Sequence, residues 1–263
     1  MVNFRTMQKV YFLSDVHLGA EPPAKEQQRV ERLLAFLDRI QEDARALYLV
    51  GDLFDYWFEY RRAIPRTELR VLFKLHDLVQ SGIAVHYFTG NHDLWLGDYL
   101  AEQVGFQLLR RPKVVAENGL RLYLAHGDGL IARDRRIRWL NRLFQNRVCI
   151  FLYRLLHPDV GLALMRWVAR RSRQRGENPF DREYREFARR QLRQGVDAVV
   201  LGHTHKPLFE RLDSKYYINL GDWIVHYTYL ELEGRTLSLK IWPSEQLYRP
   251  RASKLPEASS VKT

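Results

Sequence analysis

Five short polar motifs, each at the end of an apolar run, constrain this chain more than any other feature. They are Asp15-Val16-His17, Gly51-Asp52, Gly90-Asn91-His92-Asp93, His126 within Ala-His-Gly-Asp, and Gly202-His203-Thr204-His205. The runs before them, 10–13, 47–50, 83–88, 122–125 and 198–201, are rich in β-branched, leucine and aromatic residues and read as strands. In an open α/β sheet, residues just past the strand ends gather along the edge where ligands bind. A lone Asp or His is more often a satisfied group in a core. Asp15, His17, Asp52, Asn91, His126, His203 and His205, in order and all at strand ends, are better read as one site.

Asp, His and Asn supply the mixed oxygen and nitrogen donors that Mn²⁺-like divalent ions accept. Two cations roughly 4 Å apart need a ligand that reaches both, and a carboxylate can bridge. Asp52 is the expected bridge. Asp15, His17 and one of His203 and His205 are expected around one ion, and Asn91, His126 and the other histidine around the second. The Asn amide oxygen coordinates without adding charge to an anionic site. His203 and His205 need a bend to converge, and Gly202 permits one.

This order of motifs resembles the calcineurin-like metallophosphoesterase superfamily over about residues 10–242. The longer strings Ser14-Asp15-Val16-His17-Leu18-Gly19, Gly51-Asp52-Leu53-Phe54-Asp55, His126-Gly127-Asp128-Gly129-Leu130 and Asn219-Leu220-Gly221-Asp222-Trp223 are similar to those of the UDP-2,3-diacylglucosamine pyrophosphatases of lipid A synthesis. One position departs: His92 stands where many of those enzymes carry Arg. The resemblance implies a four-layer α/β/β/α sandwich of two mixed sheets with a helical lid. It implies two divalent metal ions, expected to be Mn²⁺, and cleavage of a lipid-linked nucleotide to UMP and 2,3-diacylglucosamine 1-phosphate. It places His92 at the leaving oxygen with Asp93 orienting it. It matches Asp134, Ser172 and Arg173 to substrate contacts. Asp93 and Asp134 also read as helix N-caps, before 94–104 and 135–144 respectively. Asp55, Asp128 and Asp222 are candidates to accept the second N–H of a ligating histidine. His76, His86, His157 and His226 belong to no motif and read as structural.

The first half alternates strand and helix, with Val30, Leu33, Leu34, Leu37 and Ile40 on one helical face and Leu69, Leu72, Phe73, His76 and Val79 on another. From 199 to 242 the pattern is a meander of short strands at 208–212, 215–219, 223–233 and 236–242. That division suggests two sheets packed face to face with helices outside. The phosphoesterase domain is expected over 1–248, with a disordered tail at 249–263. The single cysteine, Cys149, permits no disulfide framework, the N-terminus lacks a signal-peptide h-region, and no apolar run could span a bilayer. The expected location is cytoplasmic, peripheral on the inner face of the membrane.

Charge is concentrated. Lys and Arg number 42 against 31 acids, a net of +11, and residues 131–193 hold all of that excess, with 17 arginines, no lysine and six acids. This segment is helical in pattern and carries apolar stripes at Ile137, Leu140, Leu143 and Phe144 and at Phe151, Leu152, Leu155 and Leu156. It reads as a helical insertion that acts as a lid, with an apolar chamber for acyl chains and arginines for an anionic membrane surface; Trp139 and Trp167 fit such a boundary. The plainer reading is a small bundle with a solvated basic face. A nucleic-acid partner is not expected, because the basic segment is leucine-rich and lacks the exposed aromatics that stack on bases. Another nucleotide phosphoesterase and a non-catalytic scaffold are the remaining alternatives.

Overall fold

The computed structural model describes residues 9–60, 62–66, 69–93, 95–131, 143, 146–173 and 181–249, without the side chains of 166 and 169–173. In chain order the strands are β1 (Lys9–Leu13), β2 (Ala44–Val50), β3 (Ala84–Phe88), β4 (Gln107–Leu109), β5 (Lys113–Glu117), β6 (Leu120–Ala125), β7 (Ala198–Leu201), β8 (Leu208–Leu212), β9 (Lys215–Asn219), β10 (Thr228–Glu233), β11 (Thr236–Ile241) and β12 (Gln246–Leu247). The helices are α1 (Pro23–Ile40), α2 (Leu69–Gln80), α3 (Arg147–Arg154), α4 (Pro158–Arg173) and α5 (Asp181–Arg193).

One sheet has the order β12-β11-β10-β1-β2-β3-β4 and the other β5-β6-β7-β9-β8. Both are mixed. β1 to β4 run parallel and β10 pairs antiparallel on the free side of β1. In the second sheet β6, β7 and β9 are parallel, with β5 and β8 antiparallel at the edges. Neither sheet is confined to one half of the chain. β10 to β12 return to cover the edge of β1, where unpaired backbone groups would otherwise stand open.

Strand alternation assigns the layers. Tyr11 and Leu13 face α1 and α2, whereas Val10 and Phe12 face the second sheet. The space between sheets is filled by Val10, Phe12, Tyr48, Val50, Leu122, Leu124, Val200 and Ile218. Pro23 opens α1, where a missing N–H costs nothing. Val30, Leu33, Leu37 and Ile40 then bury its inner stripe. α2 differs from expectation. It buries Val71, Leu72, Leu75 and Leu78 and leaves Phe73 63% exposed, because it carries two overlapping apolar stripes and the better-filled one meets the sheet. On the far side Tyr184, Ala188 and Leu192 of α5 pack on Val199, Leu201 and Tyr217. Helices, sheet, sheet and helix make the expected four layers.

α5 is therefore a framework helix. The part of 131–193 that stands apart from the sandwich narrows to α3 and α4 among the described residues. These helices meet the 56–60 segment through Tyr153, Ile150, Leu162 and Met165, which pack with Tyr56, Phe58, Tyr60 and Trp95. Their outer side chains stay in water: Phe151 is 55%, Leu152 57%, Leu155 67% and Trp167 58% exposed. The stripe at Ile137, Leu140 and Phe144, and Trp139, lie outside the described residues. No helix among the described residues is long and apolar enough to cross a membrane. Two local readings also change. The helix expected at 94–104 reduces to a π-helical turn at Leu100–Val104, and the strand expected at 223–233 begins only at Thr228.

Candidate metal centre

The carboxyl ends of β1, β2, β3, β6 and β7 meet at one edge of the sandwich and bring the five motifs together. The backbone there is forced into a conformation that non-glycine residues seldom adopt. φ is 54° at Asp15, 51° at His17, 53° at Asp52, 69° at His203 and 58° at His205. Each such residue costs about 1–3 kcal/mol and persists only where its surroundings over-determine it. Here they do. Asp15 N donates to Gly51 O at 3.2 Å, His17 N to Asp52 O at 2.9 Å and Leu18 N to Leu53 O at 2.9 Å. From α1, the buried Arg29 donates to His17 O at 2.7 Å, and Glu26, paired with Arg29, accepts from Gly19 N and Glu21 N. Gly51, at φ 85°, has no alternative: a Cβ there would run into the His126 ring.

Asp15, His17, Asp52 and His126 are buried. His17 Nε2 lies 3.7 Å from Asp15 Oδ1 and 3.6 Å from Asp52 Oδ2. His126 Nε2 lies 3.3 Å from Asp52 Oδ2 and 3.2 Å from Asn91 Oδ1. His205 Nε2 lies 3.3 Å from Asp15 Oδ1 and 3.2 Å from His17 Nε2. His203 completes the group, its ring centroid 5.2 Å from that of His126. Asp52 thus touches histidines on both sides, with His17 to one and His126 to the other.

Acceptor atoms converge here without enough protons to join them. His126 Nδ1 donates to Val50 O at 3.0 Å, which leaves Nε2 to face two oxygens. Asp15 Oδ1 is buried and has no hydrogen-bond partner among the described residues. A cation satisfies such a set; in its absence protons must. Accordingly, burial alone would pull His17 down, but the carboxylates of Asp15, Asp55 and Asp52 raise it to about 9. His126 is raised likewise against its burial, mainly by Asp52 and Asp15. Burial would raise Asp52, yet His126 and His92 hold it below the usual carboxylate range, and Asp15 is lowered by His126 and His205. His203 goes the other way, down to about 3, through burial and the neighbouring His126 charge. The residues present fit a divalent metal centre.

His92 sits beside this cluster, 4.7 Å from the His17 ring at 89°. Its Nδ1 donates to Asp55 O at 2.9 Å, and burial lowers its pKa. Asp93 does not orient it. Asp93 accepts from Gly90 N at 2.6 Å, Leu53 N at 3.1 Å and the Tyr87 hydroxyl, tying the β3 loop to the β2 loop. Burial, then the Asp52 charge, raise Asp93 to about 7. Asp55 takes the orienting place: its carbonyl accepts from His92 Nδ1, and its carboxylate lies 3.6 Å from that nitrogen and 3.5 Å from His17 Nδ1. Asp222 caps its own turn, accepting from Ile224, Val225 and His226 backbone N–H groups and pairing with the His226 ring at 2.7 Å. Asp128 lies close enough to raise His126 by its charge. Asp134 and the side chains of Ser172 and Arg173 lie outside the described residues. Sequence reading missed the Glu26–Arg29 brace. Its only signal is a charged pair three residues apart beside the apolar stripe of α1.

The calcineurin-like phosphoesterase family model matches residues 8–207. A UDP-2,3-diacylglucosamine hydrolase of Porphyromonas gingivalis is 35% identical over 253 residues, covering 88% of this chain and 97% of that protein. One of Pseudomonas fluorescens is 32% identical over 225 residues, covering 81% and 88%. Among solved structures, a phosphoesterase from E. coli aligns at a TM-score of 0.49 and 18% identity, covering 92% of this chain and 97% of that one. With the family model spanning most of the chain and relatives aligned over nearly their whole length, this protein belongs to the calcineurin-like phosphoesterase family.

Proposed function

We propose that this protein hydrolyses the pyrophosphate bond of UDP-2,3-diacylglucosamine, releasing UMP and 2,3-diacylglucosamine 1-phosphate. The similarity to a hydrolase of that name over 97% of its length carries the reading. The site chemistry agrees with it. Asp15, His17, Asp52, Asn91, His126, His203 and His205 would hold two divalent ions, Mn²⁺ being the best match to the donors, with Asp52 shared. Such a pair, when bound, supplies a water of lowered pKa and offsets phosphate charge.

The remaining steps fall to the chain's own groups. The bond to Asp55 O fixes Nδ1 of His92 as a donor, so Nε2 gives a proton to the departing phosphate oxygen only from the imidazolium form, which a phosphate anion bound beside it would favour. Asp55 holds His92 and His17 in one arrangement, so the proton donor and a ligand move together. Asp93 serves by holding the β2 and β3 loops at a fixed separation.

The exposed Phe151, Leu152, Leu155 and Trp167 of α3 and α4 suit the acyl chains and the membrane that presents them. Burying each CH₂ there gains about 0.8 kcal/mol. The arginines of the same segment suit an anionic surface at the inner face of the membrane. Hydrolysis in ¹⁸O-water tests the reaction. The label should appear in UMP, as attack at the α-phosphorus requires. Label in the sugar phosphate would move the attack to the β-phosphorus, and no cleavage of this substrate would refute the reading.

A further inference from the structure

A cleft of about 350 Å³ lies at the foot of α3 and has no part in the chemistry above. It lies between Phe58 and Glu59, Trp95 to Gly97, Arg110 and Arg111, and Ile150 and Arg154 of α3. A smaller cavity of about 130 Å³ shares Thr89, Arg110 and Arg111 with it and is lined by His126 and Asp128 at its other end. Together they lead from the cluster to the foot of the helical insertion.

We propose that this cleft binds the nucleotide half of the diphosphate substrate, with Arg111 and Arg154 on phosphate and ribose oxygens and Trp95 against the base. The inference rests on the diphosphatase reading and adds the part of the protein that takes the leaving nucleotide. Charge points that way first. Three arginines line the cleft against one acid, Glu59. Glu59 is buried, and its oxygens already accept from Trp57 Nε1 at 3.0 Å and Tyr99 N at 3.1 Å. Those donors are neutral and Glu59 keeps its charge, so three arginines against one carboxylate leave the cleft net positive. Arg110 donates to Leu96 O at 2.7 Å and Gly97 O at 3.1 Å, neutral acceptors that stiffen the wall but leave its charge uncompensated. Arg111 and Arg154 are exposed and have no hydrogen-bond or ion-pair partner among the described residues. A guanidinium fork matches phosphate oxygens in geometry as well as charge.

Shape supplies the second argument. Trp95 lines the cleft, is half-buried, and packs against Phe58 at 5.2 Å and 85°, Tyr153 at 4.9 Å and Tyr56 at 6.1 Å. A braced indole at the wall of a cationic cleft is a stacking platform for a flat base. An acyl chain is a poor occupant, because it would desolvate guanidinium groups without pairing them. The acyl chains have the apolar outer surface of α3 and α4 instead. The two halves of the substrate thus go to chemically opposite surfaces.

Calorimetric titration of the Mn²⁺-loaded full chain with UMP, ribose 5-phosphate and inorganic phosphate tests this. UMP should bind more tightly than ribose 5-phosphate, and ribose 5-phosphate more tightly than phosphate. Arg111→Ala and Arg154→Ala should each weaken UMP about tenfold. Trp95→Ala should abolish the difference between UMP and ribose 5-phosphate, and Arg182→Ala on the far helix should change nothing. Thermal melts establish that each variant is folded. Equal UMP affinity in wild type and arginine variants overturns the proposal, as does a change in acyl-length preference with UMP affinity intact. A wild type that binds UMP through Arg111 yet leaves UDP-2,3-diacylglucosamine uncleaved keeps the cleft and removes the diphosphatase reading. Cleavage with UMP binding that ignores both arginines does the reverse.

Discussion

At the edge where β1, β2, β3, β6 and β7 end, polar side chains are buried and apolar ones support them. On α3 and α4 the relation is inverted. Phe151, Leu152, Leu155 and Trp167 stand in water, and the inward-facing side chains form a small aromatic contact with the 56–60 segment. The first region holds five strained backbone positions in place through cross-strand hydrogen bonds and the Arg29 brace. Among the described residues of the second, no non-glycine residue has such a backbone conformation. On the proposed function the contrast separates two tasks. Bond cleavage needs donors fixed to within a fraction of an ångström, whereas acceptance of flexible acyl chains needs apolar area and tolerates movement.

If the tasks are separate, substitutions in the two regions should fail differently. The largest effect belongs to Asp52, which touches histidines on both sides of the cluster. Asp52→Ala should lower kcat on every phosphoester by about 10³-fold or more and abolish stoichiometric metal binding. Near-normal turnover with full metal content would remove Asp52 from the bridge. His92→Ala comes next, with kcat reduced about 10²-fold and metal content unchanged, as metal analysis of the purified variant would show. Loss of metal in that variant would make His92 a ligand instead of a proton donor.

Substitution in the second region should alter preference. Phe151→Asp or Leu155→Asp should cut the ratio of activity on the diacylated substrate to activity on a small diester by about tenfold. A ratio unchanged in both variants would detach α3 from substrate recognition and collapse the comparison.

The smallest effect is on pH. His17 is raised to about 9, so it contributes stability that is fully present below its unfolded value of 6.5 and lost as pH climbs through 9. The melting temperature of metal-free protein should therefore fall over that window, and His126 acts with the same sign. Mn²⁺ replaces those protons, so the fall should vanish in loaded protein. The same slope with and without metal would mean that the cation binds elsewhere.

Legibility follows the same division. The sandwich and the convergence of the seven side chains could be read from the sequence because strand-end position and residue type are local signals. Contacts that depend on how distant loops meet could not. Asp93 follows His92 in sequence, yet its carboxylate serves Leu53 and Tyr87, and Asp55 reaches His92 from the loop after β2. α5 has the amphipathic pattern of the helices before it, and that pattern does not say whether its apolar stripe meets a sheet or a lid. Phe73 shows the same ambiguity in α2, where two stripes compete for one sheet.

The central claim is that a metallophosphoesterase edge has been given a lipid-linked nucleotide to cleave. It is tested most directly by kcat/KM for UDP-2,3-diacylglucosamine against UDP-N-acetylglucosamine, measured with wild-type protein and Mn²⁺. The account predicts a preference for the diacylated substrate of at least about 10³-fold, since several buried methylenes at roughly 0.8 kcal/mol each distinguish the two. Equal values for both substrates would contradict it.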